Sequence, residues 1–355
     1  MLAAGLLVAL VAGVLVWRGP AAASSQASAA ASAAAVPSPA PVTVASPQAR
    51  PSRVLAYLRG ISGTATVAGQ HNREPLSSPT MWTDRVRAIT DSEPGLYGSD
   101  FAFTDVGSRQ TMVSAAIAQW QAGSLVTLMW HMCPPGMGQT CDWKRDVQSH
   151  LTDRQWAELV TPGSPLERAW TAQIDVLVPF LRQLQDRGVE VLWRPVHELN
   201  DTWAWWGGRP GPNGSLRLFQ IMHDHLAAQG LTNLIWVWSV KDVATASFAD
   251  YYPGDRYVDV VALDSWMAPF PSTAVYEQVG QVAHGKPMAL AEVGTLPSPA
   301  QLAQQPKWTY FMEWAEMLTQ RNTVPRIQFT YSDPRVVAQS RISLPPRGFS
   351  RAGGS

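Results

Sequence analysis

The sequence predicts an α/β fold, specifically a (β/α)8 barrel, and two features carry that prediction. From residue 53 onward, eight short apolar runs alternate with longer helix-like segments, and most of these runs end in a polar residue. Apolar strands alternating with helices indicate a parallel sheet covered on both faces, and eight of them indicate a closed barrel. An open doubly wound sheet is the alternative, but no glycine-rich phosphate loop follows the first strand.

The residues before the predicted barrel divide into two segments. Leu2–Trp17 is an uninterrupted apolar run. It is short for a membrane span and typical of a signal-peptide core. No basic residue precedes it and Arg18 follows it, which reverses the usual charge bias. We therefore interpret residues 1–20 as a signal peptide or a membrane anchor, and expect an exported protein. Residues 21–52, rich in Ala, Ser and Pro, are predicted to be a disordered linker.

The eight predicted strands run from apolar residues to reactive ones. In order they are TATVAGQ, GLYGSDFA, SLVTLMWHM, VEVLWRPVHE, NLIWVWSVK, VDVVALDSW, KPMALAEVG and RIQFTYSD. Active sites of barrels lie at the carboxyl ends of the strands. We therefore expect one shared mouth for the polar residues that end them: Gln70, His71, Asp100, His131, His197, Glu198, Lys241, Asp264, Glu292 and Asp333. Pro195 fits near a strand end, because proline cannot donate to a sheet.

Three of the intervening segments have helical patterns. RQTMVSAAIAQWQAG ends at Gly123, a candidate C-cap, and LERAWTAQIDVLVPFLRQLQDRG ends at Gly188. WTYFMEWAEMLTQRN is predicted to be the helix before the last strand. These assignments place the barrel domain at residues 53–340, followed by a flexible tail at 341–355.

The two cysteines, Cys133 and Cys141, are close in sequence and follow the third strand. In an exported protein such a pair predicts a disulfide that closes a small loop. Two free thiols are the alternative. A metal site is disfavoured because neighbouring His131 and His150 lack a zinc-ligand spacing.

Charge and aromatic content narrow the function classes. Lys and Arg total 27, as do Asp and Glu, so the formal net charge is zero and nothing suggests a nucleic-acid partner. The chain holds 16 tryptophans, more than its phenylalanines or tyrosines. Some pack in the core, and the others supply flat apolar faces with an N–H donor.

Two glutamates, Glu198 and Glu292, end the fourth and seventh predicted strands, which face each other across a barrel mouth. Glycoside hydrolysis needs two carboxyl groups that flank the scissile bond. Each glutamate alone is as compatible with an ion pair, for example with Arg194, but the pair favours catalysis.

The segment WRPVHELNDTWAWWGG resembles the acid/base motif of glycoside hydrolase family 26, best known for endo-β-1,4-mannanases. YYPGDRYVDVVALDSW and KPMALAEVG resemble the family's sixth strand and nucleophile strand, and VAGQHN and LMWHMCPP its first and third strand ends. The resemblance implies a (β/α)8 barrel and a retaining mechanism. It also implies a β-glycan substrate, most often β-1,4-mannan and in other members mixed-linkage β-glucan or β-1,3-xylan.

The resemblance assigns roles residue by residue. It implies that Glu198 is the acid/base and Glu292 the nucleophile, with Arg194 beneath the carboxylates. The predicted substrate-binding residues are His71, His131, Arg194, His197, Trp203, Asp264 and Trp266. Trp205 and Trp206 are interpreted either as further sugar-stacking faces or as packing at the barrel rim.

Two positions depart from the family pattern. Asp201 stands where glycine is common, and Trp266 stands where a tyrosine commonly hydrogen-bonds the nucleophile. Two other function classes remain as alternatives: a non-catalytic polysaccharide-binding barrel, and a metal-dependent enzyme using His71, His131 and His197. We expect no cofactor, no metal and a monomer whose partner is a polysaccharide or oligosaccharide.

Overall fold

The computed structural model describes residues 52–73, 75–243 and 247–345. The predicted signal or anchor segment and nearly all of the predicted linker lie outside the described residues, as does most of the predicted tail. Within the described ranges, no helix is both long enough and apolar enough to cross a bilayer.

Eight parallel strands close into a barrel, as predicted. Gly69 in the first strand pairs with Leu96 of the second and with Met312 of the eighth, which completes the ring. A short ninth strand adds to the first through Thr66 and Val336. The strands are β1 (Thr66–Asn72), β2 (Leu96–Asp100), β3 (Leu125–Met129), β4 (Val191–Arg194), β5 (Leu234–Lys241), β6 (Val260–Ser265), β7 (Met288–Val293), β8 (Trp308–Glu313) and β9 (Val336–Val337).

Helices surround the barrel and connect its strands. They are α1 (Arg53–Ile61), α2 (Met81–Thr90), α3 (Arg109–Ala122), α4 (Asp153–Leu159), α5 (Pro165–Asp175), α6 (Val178–Asp186), α7 (Ser215–Ala228), α8 (Thr273–Ala283), α9 (Pro299–Gln304), α10 (Met317–Gln320) and α11 (Val324–Ser332). Helix α3 ends at the predicted Gly123, whose left-handed backbone (φ 108°) lets its N–H reach the carbonyls of Gln119 and Trp120.

The core has two layers because neighbouring strand residues point to opposite faces. Val67 of β1 belongs to the cluster inside the barrel, whereas Ala68 packs outward under the helices. Helix α1 adds Val54 and Leu58 to the inner cluster. Its start is held by Glu190, which accepts hydrogen bonds from the Ser52 hydroxyl at 2.7 Å and the Val54 N–H at 3.0 Å.

The prediction of the eighth strand was wrong. RIQFTYSD lies in α11, and the segment predicted as the preceding helix begins with the true strand, β8. Every β8 residue is buried, and a run buried on both faces lacks the periodicity that separates strand from helix. The start of α11 carries helix signals, because the Thr323 hydroxyl caps Arg326 N–H and Pro325 occupies the first turn. Glu313, not Asp333, therefore ends the eighth strand.

The long helix predicted before the fourth strand is two helices, α5 and α6. Pro179 lies in the first turn of α6, where its missing N–H is tolerated. It cannot continue an incoming helix, so α5 ends at Asp175.

Candidate active site

Contacts join all nine predicted catalytic and substrate-binding residues into one network at the carboxyl ends of the strands. Arg194 is bonded to Asp264 and to Glu292, and Trp266 is also bonded to Glu292. Trp203 is bonded to Glu198. Ring contacts link the rest: Trp203 with His197, His197 with His131, and Trp314 with His71, His131 and Trp266.

Glu292 lies on β7, and both of its carboxylate oxygens accept hydrogen bonds. Arg194 Nη2 donates to Oε1, and Trp266 Nε1 donates to Oε2 at 3.0 Å. The β7 backbone fixes this carboxylate, because Glu292 is paired with Asp264 in the sheet. Two donors, one at the end of β4 and one in the loop after β6, suit an ionised carboxylate held in one orientation.

Arg194 is divided between two acids. Its Nη1 donates to Asp264 Oδ2 at 2.8 Å, and the Ser239 hydroxyl donates to the same oxygen at 3.0 Å. Burial raises the pKa of Asp264 well above its usual value despite Arg194, and the neighbouring charges of Glu292 and Glu198 act in the same direction as burial. Arg194 is therefore shared between Glu292 and a carboxyl group whose protonation is favoured by burial.

Glu198 lies four residues beyond the end of β4 and has a left-handed backbone, φ 51°. A non-glycine residue in this region costs about 1–3 kcal/mol, and such strain clusters at functional sites. Its Oε2 accepts from Trp203 Nε1 and lies 3.1 Å from Lys241 Nζ. Burial, followed by the charge of Glu292, raises the pKa of Glu198 to about 7, although Lys241 and Trp203 pull it down.

The turn after Glu198 is closed by its own backbone. Asp201 N–H donates to the Glu198 carbonyl at 2.9 Å, and Gly208 N–H donates to the Leu199 carbonyl at 2.9 Å. Gly207 is required here, because a Cβ at that position would lie 2.1 Å from the Asp201 carbonyl oxygen. The glycines of the motif thus fix the turn that carries Glu198.

The tryptophans of the motif divide by role. Trp205 and Trp206 are 1% and 0% exposed, and their N–H groups donate to the carbonyls of Met132 and His197. They are packing residues, so the rim-packing interpretation holds. Trp203 is only half-buried, at 5.2 Å from the half-buried Trp143 ring. Trp266 and Trp314 are also half-buried, so four tryptophans of the described site keep part of their surface exposed.

Three histidines lie behind these rings. His131 Nδ1 is bonded to the Asp100 carboxylate, and the rings of His131 and His197 are 4.6 Å apart. Burial lowers the pKa of His71 to about 3 and that of His197 well below its usual value, so both are neutral at physiological pH. The described part of the chain contains no group of three His, Cys, Asp or Glu side chains arranged for a metal ion.

The predicted disulfide between Cys133 and Cys141 is confirmed. Gln173 on α5 supports the loop it closes, accepting from Gly136 N–H at 3.0 Å. Cys141 N–H donates to the Phe103 carbonyl, and the rings of Phe103 and Trp143 stack at 5.7 Å. The disulfide loop therefore lies beside the aromatic wall of the mouth.

Sequence reasoning missed four residues of the network. Trp314 follows β8, so the error in the eighth strand hid it. Lys241 was recognised as a strand end but not as a contact of Glu198. Asp242 accepts backbone N–H bonds from Trp266, Met267 and Ala268 and so fixes the loop that bears Trp266. Trp143 begins a short π-helical turn, Trp143–Val147, for which the sequence shows no recognisable signal, although its proximity to the cysteines offered a hint.

Comparisons with known proteins identify the family of the chain. The model of glycosyl hydrolase family 26 matches residues 43–341. A mannan endo-1,4-beta-mannosidase from Thermothelomyces thermophilus is 31% identical over 284 residues, covering 76% of this chain and 56% of that protein. One from Caldalkalibacillus mannanilyticus is 29% identical over 297 residues, with the same two coverages. The chain thus spans about half the length of these curated relatives.

Solved structures share the fold. The structure of GH26A from Muricauda sp. MAR_2010_75 has a TM-score of 0.78 and 33% sequence identity, covering 82% of this chain and 96% of that one. The family model covers well over half of the sequence, including every strand of the barrel. The chain belongs to glycosyl hydrolase family 26.

Proposed function

We propose that this domain is a retaining β-glycoside hydrolase that cleaves β-1,4-mannan within the chain. Glu292 is the nucleophile and Glu198 the acid/base. One observation carries the proposal: two glutamates share one barrel mouth, one bonded through both oxygens to Arg194 and Trp266, the other with its pKa raised to about 7. Carboxyl groups with environments this different take the two roles that glycoside cleavage requires.

In the first half-reaction, a carboxylate oxygen of Glu292 attacks the anomeric carbon from one face of the sugar. The bond to the leaving glycosidic oxygen breaks, and Glu198 donates its proton to that oxygen. Arg194 and Trp266 keep the attacking carboxylate oriented toward the sugar. The result is a glycosyl ester on Glu292 and a released sugar with a free hydroxyl.

In the second half-reaction, Glu198, now ionised, removes a proton from water. The water oxygen bonds to the anomeric carbon, and the ester bond to Glu292 breaks. Glu292 returns as a carboxylate and Glu198 regains its proton. Two inversions at one carbon leave the anomeric configuration unchanged.

The sugar chain is held by aromatic faces and polar side chains. Trp203 is proposed to stack on a sugar ring beside the cleaved bond, and Trp143, whose ring is 5.2 Å from it, is proposed as a second face. His131 and His197 are the polar groups proposed to contact substrate hydroxyls, whereas His71 and Asp264 are 0% exposed and contact Trp314 and Arg194 instead.

Mannan is the first choice of substrate because the relatives reported above are mannan endo-1,4-beta-mannosidases. A β-glucan is the second, since 87 residues are 34% identical to Endoglucanase H of Acetivibrio thermocellus. We also propose that the protein is exported and that residues 53–340 form its catalytic domain. The Cys133–Cys141 disulfide supports export, because such bonds persist in oxidising compartments.

The test is a time course of ¹H NMR spectra on β-1,4-mannan, mixed-linkage β-glucan and β-1,3-xylan oligosaccharides. We expect mannan to be cleaved fastest, with the first-formed product keeping the β configuration. An α anomer appearing first would overturn the retaining mechanism. Binding of a glycan without cleavage of any of the three would instead establish a polysaccharide-binding barrel.

A further inference from the structure

Lys241, the last residue of β5, reaches the acid/base that follows the neighbouring strand β4. Its Nζ lies 3.1 Å from Glu198 Oε2 and 3.0 Å from Asp201 Oδ2. Its side chain is 17% exposed, so the charge is largely removed from water. The cation is thus shared between Glu198 and Asp201, the residue that stands where glycine is common in the family.

The turn that carries Glu198 also holds Lys241 through its backbone. Asn200 Nδ2 donates to the Lys241 carbonyl at 2.8 Å, and Lys241 N–H donates to Asn200 Oδ1 at 2.7 Å. Asp201 completes the attachment at the far end of the side chain. Both ends of Lys241 are therefore fixed by residues that follow Glu198 directly in the sequence.

Charged and titratable groups approach Glu198 from several strands. Glu292 on β7 and Asp264 on β6 contribute negative or potentially negative charge, and Arg194 on β4 is bonded to both. The network continues through His197, at the fourth strand end, and His131 after β3. Among the described residues, Lys241 is the one cation in contact with the Glu198 carboxylate.

Burial and ion pairing act in opposite directions on the pKa values of Glu198 and Lys241. Burial raises the pKa of Glu198 and Glu292 raises it further, while the charge of Lys241 lowers it. For Lys241 itself, burial lowers the pKa, but the charges of Glu198 and Asp201 raise it above its usual value. The ammonium is therefore charged at neutral pH and opposes the effect of burial on the acid/base.

We propose that Lys241, fixed by Asn200 and Asp201, is a positioning residue that stabilises the ionised form of Glu198, the form that acts as base in the second half-reaction. This inference rests on the proposed function. Lys241 and Trp203 both address Oε2 of Glu198, so the proton transferred to the leaving group is carried by Oε1. Lys241 thereby sets both the pH at which Glu198 changes role and the oxygen that does the chemistry.

The test compares Lys241→Met, which removes the charge at similar length, with Lys241→Arg, which keeps it. Substrates are mannooligosaccharides for kcat/KM and an activated aryl β-mannoside for the second half-reaction. In the first step Glu198 must be protonated, so kcat/KM falls as pH rises through its pKa. Removing an opposite charge at this distance should raise the pH of this decline in kcat/KM, the alkaline limb of the pH profile, by about one pH unit or more. In Lys241→Arg, which keeps the charge, most of this shift should be absent.

Loss of the Lys241 charge should slow the second half-reaction near neutral pH, because that step needs Glu198 in its ionised form. At pH 6–7 the methionine variant should hold more of Glu198 protonated, so the glycosyl-enzyme accumulates with the activated substrate and is seen by intact-protein mass spectrometry. A ¹³C NMR titration of the Glu198 carboxyl, assigned by comparison with Glu198→Gln, should show the same upward shift without substrate. An unchanged or lowered midpoint in a folded Lys241→Met protein would overturn the proposal.

The Asp201→Asn variant distinguishes two possible roles of Asp201, which are to hold Lys241 in place and to contribute a negative charge near Glu198. If Asp201 holds Lys241 in place, its loss moves the alkaline limb upward, as Lys241→Met does but less. A downward shift would mean that Asp201 acts only as a negative charge, which would refute its positioning role. The proposed function is tested separately, and it would be wrong if the wild-type protein cleaved no β-glycan. In that case the NMR titration would still measure the effect of Lys241 on the pKa of Glu198.

Discussion

Glu198 and Glu292 are chemically identical side chains, each 4% exposed, at the mouth of one barrel. They differ in what holds them. Glu292 is part of a strand, and Arg194 and Trp266 donate to its two different oxygens. Glu198 lies in a left-handed turn, and both of its donors, Trp203 and Lys241, meet the same oxygen.

Equal burial combined with unequal bonding supports the proposal that one residue type takes two roles at this site. A carboxylate that accepts hydrogen bonds at both oxygens suits a nucleophile, which must be ionised and correctly oriented before attack. A carboxyl group with one oxygen free of those donors can carry a proton and release it. The difference therefore lies in the placement of donors rather than in solvent exposure.

The largest expected effect is the loss of Glu292. Glu292→Ala removes the attacking oxygen, so we expect turnover to fall by about 10⁴-fold or more with every substrate, as for other catalytic nucleophiles. Activity is measured on mannan and on an activated aryl glycoside. Comparable rates for variant and wild type on either substrate would contradict the proposal that Glu292, and not Glu198, is the nucleophile.

Glu198→Ala should be less damaging and selective. Acid/base catalysis contributes about 10²–10⁴-fold, so we expect this loss on mannan but a smaller one with a leaving group that needs no proton. Azide should restore part of the rate by attacking the glycosyl-enzyme. In the wild type, kcat/KM should decline as pH rises through about 7. The Glu198→Ala variant should lack this decline. A decline that persisted in the variant would have to be assigned to the titration of another group.

Trp266→Phe tests the donor on the nucleophile. A hydrogen bond to a charged group contributes about 1.5–3 kcal/mol, so its loss should lower kcat by about 10–150-fold. Trp266→Tyr is the matched control, because a hydroxyl can donate in place of the indole, and it should retain more activity than phenylalanine. Equal kinetics for the two variants would indicate that Glu292 does not depend on this bond.

Trp203→Ala should have the smallest effect of the four. A lost stacking face accounts for about 0.5–1.5 kcal/mol, equivalent to about 2–13-fold, and it should raise KM for long substrates. Trp203→Phe keeps a ring but loses the donor to Glu198, so KM should change less while the alkaline limb moves upward. A large fall in thermal stability for either variant would make Trp203 a packing residue instead.

Much of this arrangement could be read from local sequence. Seven strands were recognisable because apolar runs ended in polar residues, and the short spacing of Cys133 and Cys141 indicated a disulfide. Glu198 and Glu292 stood out because both ended strands that face each other in a closed barrel. The predictions of the seven strands and of the disulfide succeeded because their signal, a period or a spacing, lies within a few neighbouring residues.

The eighth strand could not be read in this way. Trp308–Glu313 is buried on both faces, so no alternation distinguishes it from a helix, and the error concealed Trp314. The roles of Trp205 and Trp206 were undecided for a related reason, since sequence alone does not report which indole is covered.

The sequence by itself determined a barrel with two glutamates and a supply of tryptophans at its mouth. Only the tertiary structure decided which donor meets which oxygen: Lys241 from β5 on Glu198, and Arg194 and Trp266 from β4 and the loop after β6 on Glu292. Those partners are separated by tens of residues in the chain and meet only when the barrel closes. The electrostatic contrast between the two glutamates is therefore a property of strand order and register, which no local pattern records.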